Sequence, residues 1–287
     1  MFTNNIFFKI YTTKYGIYIA TCLKYMLDHL NYNSIIVYNI SNEDIINNNN
    51  NPNEIYVILF CHTLNVIPSK NKYIIYQLEQ VKQSKWINKL YLDRIKKSLF
   101  TLDYSLYNYN IFKEKYRKKI YYFPIPIKNE IINNNLNIVY DLLFFGCLNN
   151  RRKNICNKLK NKYNILIVNN LFDNELYNVI MKSKIILNIH YYKNAVLETS
   201  RINDVIRFNK VIISEKSCDK DVMEFYNNII FSEEIEDDLK NINKLYDLID
   251  YYLIDNNYNS ITNKNNLFVK KIYDFSYDKL NKLFCKT

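Results

Sequence analysis

Glycine and tryptophan are almost missing from this chain of 287 residues, which has two glycines, four prolines and one tryptophan. Asn, Ile, Tyr and Lys dominate instead. Because codons rich in A and T specify these residues, genome bias is the simplest cause. A hydrophobic content of 48% with 23% charged residues is typical of a globular protein and excludes a disordered one. The length suffices for one large domain or two medium ones.

Paired cysteines are also missing. The six cysteines include no CxxC spacing, which argues against a zinc site of the usual kind. Their irregular spacing along a long chain does not indicate a disulfide scaffold. Reduced thiols in a cytosol-like compartment therefore fit best.

Long apolar segments are absent as well. No run approaches the roughly 18 apolar residues of a membrane span. The first residues, MFTNNIFFKIYTTK, lack the basic start, long apolar centre and small-residue cleavage site of a signal peptide. We therefore expect a soluble, cytoplasmic protein. Because the AT-rich codon usage also suits the genome of a large DNA virus, that compartment would be the host cytoplasm if the gene is viral. Peripheral contact with a membrane stays open.

Acidic residues are outnumbered by basic ones, which gives a net charge of +11. Such an excess invites a nucleic-acid or anionic-membrane interpretation. The lysines, however, are spread along the whole sequence and the Lys/Arg runs are short. This distribution favours mutational bias and solubility over a polyanion surface, so we expect no specific nucleic-acid partner. A nucleic-acid-binding module stays open as a rival, and a basic face carrying aromatic side chains would support it.

Short apolar runs alternate with amphipathic ones along the chain. Strands separated by helices of about ten residues predict βαβ units and parallel sheets. The pattern pauses at FPIPIKNEIINNNLN, where two prolines precede an Asn-rich stretch, and then restarts. Two such series predict an α/β chain of two doubly wound parallel-sheet domains. Parallel sheets bind ligands at the carboxyl ends of their strands, so two facing domains would form a binding cleft.

The predicted boundaries follow from this pause. We predict an N-terminal domain over residues 1–125, a linker over 126–138, a second domain over 139–262 and a C-terminal helix over 263–287. Predicted helices include Tyr109–Tyr116, Glu234–Leu253 and a last amphipathic one near Asn263–Phe284.

The two glycines, Gly16 and Gly146, each fall at the first strand-to-helix turn of a predicted domain. Glycine permits positive φ and lets a ligand approach the backbone closely. In a chain so poor in glycine, two that remain at equivalent turns hint at function, although a tight turn alone can also require one.

Cations follow the second glycine in FFGCLNNRRKN. Arg151, Arg152 and Lys153 occupy the first turn of a predicted helix whose N-cap is Asn149 or Asn150. A helix N-terminus already carries about half a positive charge, so cations there are unfavourable unless an anion is bound. Backbone N–H groups and one arginine would then hold a phosphate or diphosphate, the alternative being a solvated basic turn.

A second cluster lies further along the same predicted domain. A buried strand ends in His190 and Tyr191, and the next helix opens with Glu198, followed by Arg201 and Asp204. A carboxylate at this edge can accept hydroxyl groups of a ribose or sugar. The histidine can bond a phosphate or a hydroxyl, and the tyrosine can stack on a base. Each residue alone has an ordinary structural explanation; together with the Gly146 turn they predict a site.

These two stretches resemble the GT-B glycosyltransferases, in particular the group-1-like enzymes that use nucleotide-diphosphate sugars. FFGCLNNRRKN is similar to their FG-x-x-N-x-RR turn, and NAVLETSRINDVIRFNKVIISE to their donor-binding stretch. The match extends over roughly residues 140–232. In this chain Asn209 stands where the family has glycine, Val211 where it has proline, and Asp204 where it has the second glutamate. Glu198 falls one residue out of register with the first.

The resemblance implies transfer of a sugar from a nucleotide-diphosphate sugar to an acceptor hydroxyl in an interdomain cleft, without a bound metal or other required cofactor. It also implies that the last helix packs back on the N-terminal domain. The spacing and the resemblance together assign Gly146, Asn149, Arg151 and Arg152 to the donor diphosphate. They assign His190, Tyr191, Asn194, Glu198, Thr199, Arg201 and Asp204 to the donor sugar or ribose.

Catalytic roles are assigned more loosely. Glu79, His190 and Glu198 are the catalytic candidates, and Thr13 with Gly16 forms the predicted cleft loop of the N-terminal domain. A retaining and an inverting mechanism both stay open. The Asp-Lys-Asp run that starts at Asp219 matches the DxD metal motif of another glycosyltransferase fold, but its position favours an N-cap.

Other functions stay open. The acceptor can be a glycan, a protein, a lipid or a small molecule. Rival assignments within the same fold are a sugar-nucleotide epimerase and a degenerate transferase that binds a nucleotide without turnover.

Overall fold

The computed structural model describes residues 5–38, 43, 45, 51–69, 72–132, 136–235 and 241–285. The chain divides into two compact units. Unit 1 comprises residues 1–128 together with 273–287, and unit 2 comprises residues 129–272. Within the described ranges, no helix is both long and apolar enough to cross a lipid bilayer.

Unit 1 is built on a six-stranded sheet with the order β2-β1-β3-β4-β5-β6, and every pair of neighbouring strands is parallel. Its strands are β1 (Phe7–Tyr11), β2 (Asn33–Val37), β3 (Glu54–Ile58), β4 (Tyr73–Gln77), β5 (Thr101–Asp103) and β6 (Ile120–Tyr122). Its helices are α1 (Ile17–His29), α2 (Lys89–Lys97), α3 (Leu106–Ile111) and α4 (Glu114–Arg117).

The core of unit 1 follows from its apolar patterning. All five positions of β4, YIIYQ, are buried, as expected of a central parallel strand. On α1, Ile19, Leu23 and Met26 are buried at helical spacing and form the face that packs inward. Full burial of one large apolar side chain stabilises the fold by about 1.5–3 kcal/mol.

Unit 2 is built on a five-stranded parallel sheet with the order β11-β10-β9-β7-β8. Its strands are β7 (Tyr140–Phe145), β8 (Ile165–Val168), β9 (Ser183–Asn188), β10 (Val211–Glu215) and β11 (Ile230–Ser232). Its helices are α5 (Asn150–Lys160), α6 (Asp173–Met181), α7 (Thr199–Ile206), α8 (Lys220–Phe225), α9 (Ile242–Leu253) and α10 (Asp255–Thr262). Leu142, Phe144, Ile185, Leu187 and Ile213 of its three inner strands share one buried core.

The last helix, α11 (Asn265–Cys285), contributes residues to both units, since Tyr273 and those after it belong to unit 1. Within unit 1, the Phe284 ring lies 5.3 Å from the Phe8 ring on β1. Aromatic burial of this kind explains why the end of the chain is part of the first unit.

The predicted fold of two doubly wound parallel sheets is confirmed. Several elements differ. The helix predicted over Tyr109–Tyr116 is two short helices, α3 and α4, because Ser105 caps an earlier start by accepting from the Asn108 N–H at 3.3 Å. The helix predicted over Glu234–Leu253 begins at Ile242, and residues 236–240 of that prediction lie outside the described ranges. The predicted domain boundaries stay predictions.

Candidate functional site

Three neighbouring strands of unit 2 end at one edge of the sheet. β7 ends at Phe145, β9 at Asn188 and β10 at Glu215, and all three run parallel in the order β10-β9-β7. Carboxyl ends of parallel strands therefore place the residues that follow them close together.

Gly146 directly follows β7 and has two reasons to be glycine. Its φ is +125°, a conformation that L-residues with a side chain rarely adopt. A Cβ at this position would lie 2.8 Å from Nη2 of Arg201. The guanidinium of Arg201 is therefore packed against the backbone of this turn.

The turn continues into the N-terminus of α5. Asn149 is the N-cap, and its Oδ1 accepts from the Arg152 N–H at 2.9 Å. Its Nδ2 donates to the Tyr191 carbonyl at 2.8 Å, which ties the loop after β7 to the loop after β9. The first turn of α5 holds no acidic residue to offset the positive end of the helix dipole.

Arg151 is committed to protein oxygens. Its guanidinium forms a bidentate ion pair with Glu215, one arm of which measures 3.0 Å. It also donates to the carbonyls of His190 at 2.9 Å and Ile235 at 2.7 Å. Glu215 in turn accepts from the backbone N–H groups of His190 and Ile235, both at 2.7 Å. This buried pair fixes two loops, and its geometry is that of a structural clamp.

Arg152 is 2% exposed, and its guanidinium contacts the loops at the same edge of the sheet. Nε donates to the Ile189 carbonyl at 3.0 Å and Nη1 to the Cys147 carbonyl at 2.8 Å. Nη2 lies 3.6 Å from Oε1 of Glu198. Burial lowers the pKa of Arg152 to about 10, and the nearby Arg201 acts in the same direction. The group nonetheless remains cationic at neutral pH.

His190 and Glu198 form a hydrogen-bonded pair, with 2.5 Å between Nδ1 and Oε2. Burial disfavours the charged form of each, but their mutual attraction outweighs it. The pKa of His190 is raised, and that of Glu198 falls to about 2 with help from Arg201 and Arg152. Glu198 is therefore ionised at neutral pH while its side chain stays 16% exposed.

Among the described residues, Arg201, on α7, has unused hydrogen-bond donors at this edge, and the buried Nε of Arg151 is a further one. Nη1 donates to Oδ1 of Asn188 at 2.9 Å, and the guanidinium lies 5.4 Å from the centre of the Phe145 ring. Within the described part of the chain, no acceptor bonds its Nη2 or Nε. Burial lowers the pKa of Arg201, and Glu198 opposes this shift. A half-buried cation with free donors is suited to bind an anion.

Most residues predicted from the sequence meet at this edge. The cluster that the structure brings together contains Gly146, Asn149, Arg151, Arg152, His190, Tyr191, Glu198 and Arg201. Asn194 lies on the loop before α7, where its backbone N–H donates to Glu234 at 2.9 Å. The Thr199 hydroxyl is buried and lacks a hydrogen-bond partner within the described residues.

Asp204 has different surroundings. Its carboxylate lies 3.8 Å from Arg207, and Tyr177 of α6 also bonds it. Burial raises the pKa of Asp204 to about 7, against the opposing effects of Arg207 and Tyr177. The structure groups it with α6 rather than with Glu198, so its predicted ribose contact stays a prediction.

Two members of the cluster were not predicted. Asn188 donates to Glu198 at 3.0 Å and to Ser214 at 2.9 Å, and it orients Arg201. Glu215 anchors Arg151. Both are the last residues of their strands, so a search for polar residues at strand ends would have found them.

The predicted residues of unit 1 lie around the ends of β1 and β4. A Cβ on Gly16 would meet the Phe60 ring at 2.4 Å and the Thr12 hydroxyl at 2.7 Å, so close packing requires this glycine. The Thr13 hydroxyl is buried without a hydrogen-bond partner in the described residues. The backbone of Glu79 is fixed by Gln77, which accepts from its N–H at 2.5 Å and donates to its carbonyl at 2.6 Å.

Metal ligation finds no support among the described residues, where no group of three His, Cys, Asp or Glu side chains could hold an ion. In the Asp-Lys-Asp run, Asp219 caps α8 by accepting from the Val222 N–H at 3.2 Å, which confirms the N-cap interpretation.

Comparison with known proteins supports the fold. No protein-family model matches the sequence. An uncharacterized protein of Acanthamoeba polyphaga mimivirus is 32% identical over 184 residues, which span 61% of this chain and 62% of that protein, less than two thirds of its length. HepE of Anabaena, solved in complex with UDP-glucose, superposes with a TM-score of 0.62 at 5% identity over 98% of both chains.

A second solved structure agrees. TarM of S. aureus, in complex with UDP and other ligands, superposes with a TM-score of 0.54 at 13% identity, over 93% of this chain and 58% of TarM. These likenesses confirm the predicted fold of two Rossmann-like parallel-sheet domains.

Proposed function

We propose that the protein is a glycosyltransferase that moves a sugar from a nucleotide-diphosphate sugar to an acceptor. The observation that carries the proposal is the position of Arg201, whose free donors lie against Gly146 at the N-terminus of α5. The fold that the chain shares with HepE and TarM, which were solved with UDP-glucose and with UDP, supports it.

The diphosphate would lie between Arg201 and the first turn of α5. Free N–H groups at a helix N-terminus and an unpaired guanidinium are complementary to phosphate oxygens. As the sugar leaves, negative charge grows on the diphosphate, and fixed donors stabilise it without reorganisation. Arg152 adds positive potential at the diphosphate position. Arg151 acts indirectly, because its ion pair with Glu215 holds the two loops in place.

Glu198 would bind the donor sugar. It is ionised and partly exposed, so it can accept hydrogen bonds from sugar hydroxyl groups. His190 and Asn188 both bond its Oε2 and so fix its orientation. Tyr191 is 38% exposed beside this pair and is available to stack on the nucleotide base.

A uridine diphosphate sugar is the donor that we propose, because uridine nucleotides are the ligands of both solved relatives. Membership of the group-1-like enzymes, a cytoplasmic location and activity without a bound metal remain part of the proposal. The mimivirus relative supports a viral origin.

Isothermal titration calorimetry with UDP-glucose and UDP tests the donor site. Arg201→Ala is expected to weaken UDP binding about tenfold or more, as loss of a charged hydrogen bond would. Lys153→Ala is the matched control, since it removes an exposed cation from the first turn of α5 and changes the net charge equally.

Two outcomes would contradict the proposal. One is the absence of heat with any uridine or other nucleotide diphosphate. The other is an equal loss of affinity in the Arg201 and Lys153 variants, which would indicate non-specific attraction to a basic protein. Release of UDP from UDP-glucose by the wild-type protein, measured by chromatography, separates an active enzyme from a nucleotide-binding protein.

A further inference from the structure

Unit 1 carries an exposed aromatic ring at the carboxyl ends of its central strands. Trp86, the one tryptophan of the chain, is 41% exposed. It lies on the loop between β4 and α2. The His62 ring, on the loop after β3, stacks on it with 5.0 Å between ring centres and 21° between planes. Because β3 and β4 are parallel neighbours, their following loops meet at this edge.

The loop that holds the ring is ordered by its own hydrogen bonds. Ser84 N–H donates to the Gln80 carbonyl at 2.8 Å, and Trp86 N–H donates to the Ser84 hydroxyl at 3.3 Å. Val81 N–H donates to Oδ1 of Asn108 at 3.0 Å, which ties the loop to α3. The indole is therefore presented on a fixed turn.

His62, which stacks on the ring, and Glu79, whose carboxylate acts electrostatically on His62, have unused hydrogen-bonding capacity. Within the described part of the chain, neither the His62 imidazole nor the Glu79 carboxylate forms a hydrogen bond. Burial lowers the pKa of His62, and the Glu79 carboxylate opposes this shift. The imidazole is therefore neutral at pH 7 and presents one donor and one acceptor.

We propose that unit 1 binds a carbohydrate on the Trp86 surface, defined as His62, Glu79, Lys85 and Trp86. The C–H face of a pyranose ring is complementary to the negative π face of an indole, while its hydroxyl groups need donors and acceptors at the rim. A neutral imidazole and a carboxylate supply both. The Glu79 carboxylate offsets the charge of Lys85 and disfavours phosphate and nucleic acid, since like charges repel.

Lys85 is the group that the ligand would displace or share. Its Nζ lies 4.9 Å from the centre of the Trp86 ring, and the side chain is exposed. An exposed cation–π contact contributes only about 0.5–1 kcal/mol, so it can yield to a ligand. That the bound carbohydrate is the acceptor of sugar transfer rests on the proposed function; the binding itself does not.

The single tryptophan makes the test direct. The fluorescence emission of Trp86 is followed while methyl pyranosides and glucose tetrasaccharides of different linkage are added to the full chain. A saturable change in emission with at least one saccharide is expected. Calorimetry with that saccharide then compares the wild type with Trp86→Ala, for which we expect affinity about tenfold or more lower, as when a stacked ring is lost.

The control is Tyr121→Ala, which removes an aromatic ring of equal exposure, 41%, from β6 of the same unit. It is expected to bind the saccharide as the wild type does. Trp86→Phe, which keeps an aromatic face, is expected to restore part of the affinity and guards against misfolding of the alanine variant.

Three results would overturn the proposal: no response to any saccharide, equal affinity in Trp86→Ala, or a Trp86 response to UDP alone. The last would assign the ring to a nucleotide base. UDP-glucose binding by Trp86→Ala distinguishes the two proposals. If UDP-glucose binding persists while no saccharide binds, only the proposed carbohydrate surface is refuted. If UDP-glucose binds neither the wild type nor the Trp86→Ala variant, the proposed donor site is refuted.

Discussion

The ligand edges of the two units share one architecture and differ in electrostatics. In unit 2 the edge holds Arg151, Arg152 and Arg201 around Glu198 and Glu215, and within the described ranges the Arg201 guanidinium keeps free donors at Nη2 and Nε. In unit 1 the edge holds Asp103, which is fully buried and bonded by Gln77, Ser105 and Asn108, and the loop after β4 carries an exposed indole. Two parallel sheets thus support a cationic site and an amphipathic one.

The two edges differ in the partners that surround a buried carboxyl group. Glu215 of unit 2 has a guanidinium partner, whereas Asp103 of unit 1 has only neutral donors. Burial accordingly raises the pKa of Asp103 to about 7 despite the hydrogen bonds that lower it. The arginines of unit 2 suit a site for an anionic donor, whereas the Trp86 surface, with one cation and one carboxylate, suits a neutral ligand.

The largest loss of stability should come from breaking the ion pair between Arg151 and Glu215 in unit 2. Glu215→Gln leaves Arg151 buried without a counter-charge, which costs about 3–5 kcal/mol in the free energy of unfolding. Glu233→Gln breaks an exposed pair with Lys216 in the same unit and should cost about 0–1 kcal/mol. Urea denaturation followed by circular dichroism measures both, and equal costs would refute the structural role of the Glu215 pair.

The buried, hydrogen-bonded Asp103 of unit 1 should make the stability of the protein depend on pH. Because the folded pKa of Asp103 is raised from 3.8 to about 7, the folded state holds a proton that the unfolded state has lost between these pH values. Stability should therefore fall as pH rises from about 4 to about 7, by at most about 1.4 kcal/mol per pH unit. Denaturation at several pH values is expected to show a shallower decline for Asp103→Asn.

Glu114→Gln, which removes an exposed carboxylate of unit 1, is the control and should leave the pH profile as in the wild type. A decline of unchanged slope in Asp103→Asn would show that other groups cause it. The buried Asp204 of unit 2 is the second source to examine, since its pKa is also raised to about 7.

The two glycines should give the smallest and most selective effects. Gly146→Ala strains a positive φ and displaces Arg201, which costs about 1–3 kcal/mol and weakens UDP-glucose binding. Gly16→Ala forces a methyl group against Phe60, with a similar cost of about 1–3 kcal/mol, but should leave UDP-glucose affinity unchanged. Denaturation and calorimetry on both variants sharpen the comparison. Equal loss of nucleotide affinity in both would contradict it.

Much of unit 2 could be predicted from local sequence. The turn at Gly146, the cap at Asn149 and the cations of α5 are contiguous, and the structure has all three where the pattern predicts them. The hydrogen-bond and ion-pair partners of these residues could be predicted less completely. Arg151 and Arg201 are both arginines near a helix N-terminus, and only the packing shows that Glu215 neutralises the first while the second keeps free donors.

Unit 1 was less predictable at its ligand edge. Glu79 is one of the catalytic candidates from the sequence, but His62 and Trp86 are separated by more than a strand in sequence and carry no motif. Their stacking depends on the pairing of β3 with β4, which is a long-range property of the sheet.

The sequence by itself determined the strands, the helices and their alternation, because apolar periodicity and capping act between residues a few positions apart. It also determined the Gly146 turn, since backbone φ is a local property. Tertiary structure alone decided which charges are neutralised, that Asp204 faces Arg207 rather than Glu198, and that a lone tryptophan meets a histidine. Those outcomes depend on strand order and burial, which bring distant residues within hydrogen-bonding distance and set the dielectric around them.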